Sequence, residues 1–102
     1  GLKLGCHGII TATCNVTASL SRKVYEDFIN GSEQNSNEKL CEVRKIFEEY
    51  NLISAIHTFM AQLDNSYNNI LPPLSILNDN DRKKLFEKLQ KINFNISNSL
   101  AA

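Results

Sequence analysis

The sequence predicts a mainly α-helical chain in which about four helices follow a single β-strand near the N-terminus. Residues 9–16 form the one run that is rich in β-prone residues and lacks helical spacing. From Leu20 to Ile92, by contrast, apolar residues recur every three or four positions, as they do along one face of a helix. With 102 residues, of which 42% are apolar and 22% charged, the chain has the composition of a globular protein with one core of modest size.

The predicted strand lies in GCHGIITATCNV, residues 5–16, where two glycines precede the β-prone run. Because side chains alternate along a strand, one face is entirely apolar and comprises Ile10, Ala12, Cys14 and Val16. The other face carries no charge either, which is typical of a strand covered on both sides, as in parallel α/β sheets. A lone strand leaves its backbone N–H and C=O groups unpaired, so we expect its neighbours in upstream sequence. The sequence leaves open whether residues 9–16 stay extended without those neighbours.

The first two predicted helices follow this strand. The first is indicated by three apolar residues at four-residue intervals, Leu20, Val24 and Phe28. Three hydroxyl side chains are candidates for its N-cap, namely Thr17, Ser19 and Ser21. Asn30-Gly31 is a typical helix end. The second helix comes after the polar segment SEQNSNEK, and its apolar stripe comprises Leu40, Val43, Phe47 and Tyr50.

The third predicted helix, LISAIHTFMAQL at residues 52–63, is apolar on nearly every side and should be the most buried. The next segment, DNSYNNILPPLSILND, is rich in turn-forming residues, and Pro72-Pro73 excludes a helix there. Asn78, with Asp81 three residues later, predicts the start of a fourth helix. The apolar stripe of this last helix comprises Leu85, Leu89 and Ile92. The tail NISNSLAA is expected to fray.

Charge and hydropathy argue against two classes of partner. Eleven basic and eleven acidic side chains give a formal net charge of zero, so the chain lacks the basic surface typical of nucleic-acid or anionic-membrane binding. No apolar run approaches the ~20 residues that cross a bilayer, and no signal peptide is visible. We therefore expect no nucleic-acid or membrane partner and a cytoplasmic location. Because the chain begins with Gly1, we expect a processed product or a fragment.

The cysteine and histidine side chains are the first candidates for chemistry. Cys6, Cys14 and Cys41 form an odd set without close pairs, which predicts reduced thiols packed as small apolar side chains. A zinc site is disfavoured because Cys6 and Cys14 would lie ~26 Å apart along a strand. A nucleophilic pair of Cys14 or Cys41 with His57 lacks a local activating group, so we expect His57 to be a hydrogen-bonded histidine of the core or an interface. The residues alone predict no catalytic constellation, metal site or cofactor.

Three segments match a known pattern in order. LGCHGIITATCNV begins with glycines and agrees with that pattern at Gly8, Ile10, Thr13, Asn15 and Val16. Together with NLISAIHTFMAQL and LPPLSILNDNDRKKLFEKLQKINF, it resembles the eighth strand and the C-terminal helices of the dihydrodipicolinate synthase / N-acetylneuraminate lyase family. The sequence departs from the family's pattern at Leu52, His57 and Ile76.

The resemblance implies a parent enzyme with a TIM (β/α)₈ barrel and a C-terminal helical extension, of which this chain would be the last quarter to third. Such enzymes form a Schiff base between a lysine and pyruvate or another 2-oxo acid, without a cofactor. The family's Schiff-base lysine and proton-relay tyrosine lie upstream of the eighth strand, so the resemblance implies no catalytic residue in this chain. It also implies that the main chain of Ile10 faces the substrate pocket. On its own, the chain is expected to be inactive.

The same resemblance divides the chain into residues 1–30, the last barrel strand and its following helix, and residues 31–102, the helical extension. Without a barrel to cover, the strand and the apolar helix faces are exposed, so we expect self-association into a homo-oligomer, by strand pairing or by burial of those faces. The alternative, from a different class, is a free-standing helical protein-interaction module. The sequence does not identify the substrate of the parent enzyme.

Overall fold

Four α-helices and two short 3-10 turns make up the computed structural model, which describes residues 1–96. The helices are α1 (Cys14–Ile29), α2 (Asn37–Glu48), α3 (Leu52–Met60) and α4 (Asp79–Lys91), and the 3-10 turns span Leu2–Leu4 and Asn65–Asn68. The predicted number of helices is confirmed for this part of the chain. The fraying predicted for the C-terminal tail concerns residues 97–102, which lie outside the described residues.

The predicted β-strand at residues 9–16 is wrong. No strand occurs within residues 1–96: residues 6–10 have no regular secondary structure, and residues 14–16 form the first turn of α1. The backbone N–H groups of residues 14–16 donate to the carbonyl oxygens three residues earlier, at 3.0 to 3.3 Å. Because no neighbouring strand is present to pair with this segment, local turns satisfy backbone groups that a β-ladder would otherwise bind.

Hydroxyl side chains shape the start of α1. The helix begins at Cys14 with Thr13 in the N-cap position, earlier than any of the three predicted caps. Thr17 departs from helical dihedrals, with φ −121° and ψ 24°, and its Oγ1 donates to the carbonyl oxygen of Thr13 at 2.9 Å. A hydroxyl that bonds back four residues competes with helix geometry, which accounts for this kink. The end of α1 is as predicted, since Gly31 has a φ of +67° that favours glycine.

The core is centred on α3, the helix predicted to be the most buried. Six of its nine residues are buried. Its Phe59 contacts Phe47 of α2 edge to face, with ring centroids 5.7 Å apart, and stacks on Phe94 at 5.6 Å. All four helices contribute to the core, which comprises Val16, Val43, Phe47, Ala55, Ile56, Phe59, Met60, Leu85, Leu89 and Phe94. The three aromatic rings therefore join α2, α3 and the segment after α4.

Side-chain hydrogen bonds fix the starts of α3 and α4. Asn51 Oδ1 accepts a hydrogen bond from the amide three residues later at 3.0 Å, and Asn78 Oδ1 accepts one from Asp81 at 2.8 Å. The predicted start of α4 is therefore confirmed. Thr58 of α3 donates to the carbonyl oxygen four residues earlier at 2.7 Å and accepts from the amide of Leu77 at 3.0 Å. This hydroxyl joins the connection before α4 to the buried helix.

Candidate functional site

A groove separates the start of α1 from the outer face of α2. It contains Ile10, the residue that the family resemblance places near a substrate, and its volume is about 490 Å³. Its apolar and thiol-bearing lining residues are Ile9, Ile10, Cys14, Leu40 and Cys41. Hydroxyl groups of α1 and charged side chains of α2 complete the lining.

The α1 wall of the groove carries hydroxyl and thiol groups that already bond one another. Thr17 Oγ1, which donates to the Thr13 carbonyl, also lies 3.3 Å from Ser21 Oγ. Cys14 Sγ lies 3.4 Å from the same Ser21 oxygen. Within residues 1–96, no buried side-chain nitrogen or oxygen lacks a hydrogen-bond partner. This wall therefore offers a ligand no unpaired buried polar group, and it suits an apolar occupant.

Arg44 of α2 borders the groove and binds the segment before α1. Its Nη1 donates to Oγ1 of Thr13 at 3.2 Å and to Oγ1 of Thr11 at 3.4 Å, and these two hydroxyl oxygens lie 3.0 Å apart. Its Nε donates to Oε1 of Glu48 at 2.6 Å. The guanidinium thus holds the turn at residues 11–13 against α2, and a carboxylate one turn later in the same helix balances its charge.

Ile10 lies at the mouth of the groove. Its relative exposure is 106%, and that of Ile9 is 67%. The backbone N–H and C=O groups of residues 7–10 make no hydrogen bond with any other described residue. The Ile10 carbonyl is therefore available to a ligand or another chain, while its role beside a substrate stays a prediction.

The cysteines do not pack in the core, and this part of the prediction is wrong. Cys6 and Cys41 are exposed, and Cys14 is half-buried, because they lie in an irregular segment, on the outer face of α2 and at the start of α1. Cys14 and Cys41 both line the groove, whereas His57 does not. His57 is half-buried on α3 with its Nδ1 3.0 Å from the carbonyl oxygen of Tyr67, so the predicted hydrogen bond is present. Among residues 1–96, no group of three or more His, Cys, Asp or Glu side chains is placed to hold a metal ion.

The lysines of the described residues are all solvent-accessible. None is buried among Lys3, Lys23, Lys39, Lys45, Lys83, Lys84, Lys88 and Lys91. A lysine that forms a Schiff base is activated by desolvation or by a neighbouring cation. Lys88 has the opposite environment, because its hydrogen bond to the Glu49 carboxylate raises its pKa above the usual value. Lys45 lines the groove but is exposed.

Comparison with known proteins supports the family suggested by the three motifs. The sequence model of the dihydrodipicolinate synthetase family matches residues 1–92. The chain belongs to the dihydrodipicolinate synthetase family. This match spans all four helices and both sides of the groove, including Ile10 and Arg44. No curated protein and no solved structure matches the chain.

The dihydrodipicolinate synthetase family comprises pyruvate-dependent, aldolase-like synthases whose parent fold is a TIM barrel. The described part of this member consists of helices, turns and irregular segments, and the segment that resembles the eighth strand has become a turn and the start of α1. None of the helices in residues 1–96 has the length and apolarity required to cross a membrane.

The polar side of the groove was missed by sequence reasoning. Arg44 and Glu48 are four residues apart, and this i,i+4 spacing is a readable signal for an ion pair on a helix. The hydrogen bonds from Arg44 to Thr11 and Thr13 join residues 33 and 31 positions apart, and no local pattern announces them.

Proposed function

We propose that this chain is the C-terminal portion of a Schiff-base-forming lyase or synthase that acts on pyruvate or a related 2-oxo acid. The family match over residues 1–92 carries the proposal. Chain length supports it: one βαβ unit takes roughly 30 residues, and a (β/α)₈ barrel takes about 250, so 102 residues cannot form the barrel. Residues 1–30 would correspond to the end of the barrel and residues 31–102 to the helical extension.

The isolated chain is proposed to have no catalytic activity. Its lysines within residues 1–96 are solvent-accessible, and Lys45, which lines the groove, shares that wall with the Arg44–Glu48 pair and no general base. Schiff-base formation requires a neutral amine, and solvation keeps an ammonium group charged. We also propose a cytoplasmic location, which is supported by three unpaired thiols.

Borohydride trapping with pyruvate tests this proposal. The full-length gene product is expected to acquire one covalent pyruvate adduct, on a lysine outside the present 102 residues, when intact mass and peptide maps are recorded. The isolated chain is expected to show no more adduct than the same chain unfolded in urea, which is the control for non-specific reaction of accessible amines. A stoichiometric adduct on the folded isolated chain would contradict its inactivity. A full-length product that is never trapped would contradict the proposed chemistry.

The proposed role of the Ile10 main chain is tested in the full-length enzyme. Ile10→Pro changes the backbone at this position, whereas Ile10→Val keeps the backbone and most of the side chain. We expect the proline variant to lose turnover and the valine variant to keep it. Unchanged turnover in Ile10→Pro would exclude a contribution from this segment to the substrate site.

A further inference from the structure

An unpaired segment next to an apolar groove points to self-recognition. Residues 6–10, CHGII, are here called the arm. Apart from one hydrogen bond from the Cys6 amide to the Gly1 carbonyl, its backbone makes no hydrogen bond with the described residues. Its two isoleucines, Ile9 and Ile10, stand 67% and 106% exposed at the lip of the groove. The arm is therefore a projecting apolar element with free backbone donors and acceptors.

The groove beside the arm is suited to an aliphatic side chain. Its volume of about 490 Å³ exceeds that of one isoleucine side chain, and its lining includes Leu40 and Cys41 of α2. The hydroxyls of Thr17 and Ser21 on the α1 wall are bonded to each other, so an occupant leaves no buried polar group unpaired. A polar or charged occupant would gain no buried partner on this wall, which disfavours a charged ligand.

We propose that the occupant is the arm of a second copy of this chain, in a closed twofold dimer. The projecting element and the groove are adjacent, so one twofold axis can place each copy's Ile10 in the other copy's groove. The formal net charge of zero imposes no long-range repulsion between copies.

Charge along the groove rim agrees with this twofold arrangement. Lys45 forms no ion pair within residues 1–96, while Glu48 uses only its Oε1 to bind Arg44. Under a twofold axis, Lys45 of one copy can pair with the open Oε2 of Glu48 in the other copy. A rim that carries one unpaired cation and one half-used carboxylate is self-complementary.

Sedimentation velocity and light scattering between roughly 1 and 100 µM test the dimer. The chain is expected to shift from monomer to dimer, without larger species. Ile10→Asp should weaken the dimer at least about tenfold, because a carboxylate would enter the apolar groove. Leu71→Asp is the matched control: Leu71 is 84% exposed and does not line the groove, so this variant should dimerise normally. Circular dichroism checks that both variants keep the helical content of the parent chain.

A second variant tests the rim. Lys45→Glu should weaken the dimer, and Lys83→Glu, on the exposed surface of α4, should not. A monomeric parent chain at 100 µM, or equal effects of Ile10→Asp and Leu71→Asp, would overturn the proposal (roughly tenfold sensitivity suffices). Open-ended growth with concentration would also overturn it, because a twofold interface is closed. The proposed enzymatic function is independent of this result, since borohydride trapping tests it separately.

Discussion

Replacing Phe59 by alanine should remove a large part of the free energy of unfolding. Phe59 is 1% exposed, and its ring contacts Phe47 edge to face and Phe94 by stacking. Truncating a buried phenylalanine to alanine costs about 3–5 kcal/mol, and each aromatic pair accounts for about 0.5–1.5 kcal/mol beyond area burial. A chain of this size has a total stability of about 5–15 kcal/mol, so the variant should be marginally folded.

Urea unfolding measures this loss, with the midpoint expected to fall at an unchanged m-value. The measurement is best made in an Ile10→Asp background, so that association of copies does not add to stability. Leu71→Ala is the surface control and should change stability by less than about 0.5 kcal/mol. A double-mutant cycle with Phe94→Leu should show coupling of about 0.5–1.5 kcal/mol. A loss below about 1.5 kcal/mol for Phe59→Ala would refute the inference that the three rings form the centre of the core.

Three further changes test the hydrogen bonds. Thr58→Val should cost about 1–3 kcal/mol and speed hydrogen exchange at the Leu77 amide, whereas Thr58→Ser should retain that bond. Asn78→Ala should cost about 1 kcal/mol in thermal unfolding and Asn78→Ser much less, because serine also caps helices. The Glu49 carboxylate raises the folded pKa of Lys88, so its stabilisation is complete below the unfolded pKa of 10.5 and is lost as pH rises through the folded pKa. The difference in unfolding midpoint between the parent chain and Lys88→Gln should therefore be constant at neutral pH and shrink above pH 10.5; an unchanged difference at high pH would contradict this assignment.

The elements that sequence reasoning predicted correctly are those whose signals are local. The cap at Asn78 bonds an amide three residues away, and the glycine end of α1 depends on the dihedral of Gly31 alone. The burial of α3 follows from its own composition, since a helix that is apolar all round has no face to present to water.

The errors concern structure that depends on distant residues. Residues 9–16 have strand-forming composition, but a strand forms only where neighbouring strands bind its backbone. The thiols of Cys14 and Cys41 look like core residues by type, yet their positions on the elements leave both at the groove. The contact of Arg44 with Thr13 spans 31 positions, and spacing cannot predict it.

The grip of Arg44 on Thr11 and Thr13 has a consequence for the order of folding. These hydrogen bonds close a loop of more than thirty residues, so they form only after α2 has docked against α1. Until then, the β-prone residues 9–13 are free to choose between an extended path and the turn that begins α1. The segment thus takes its conformation late, from the first surface that reaches it.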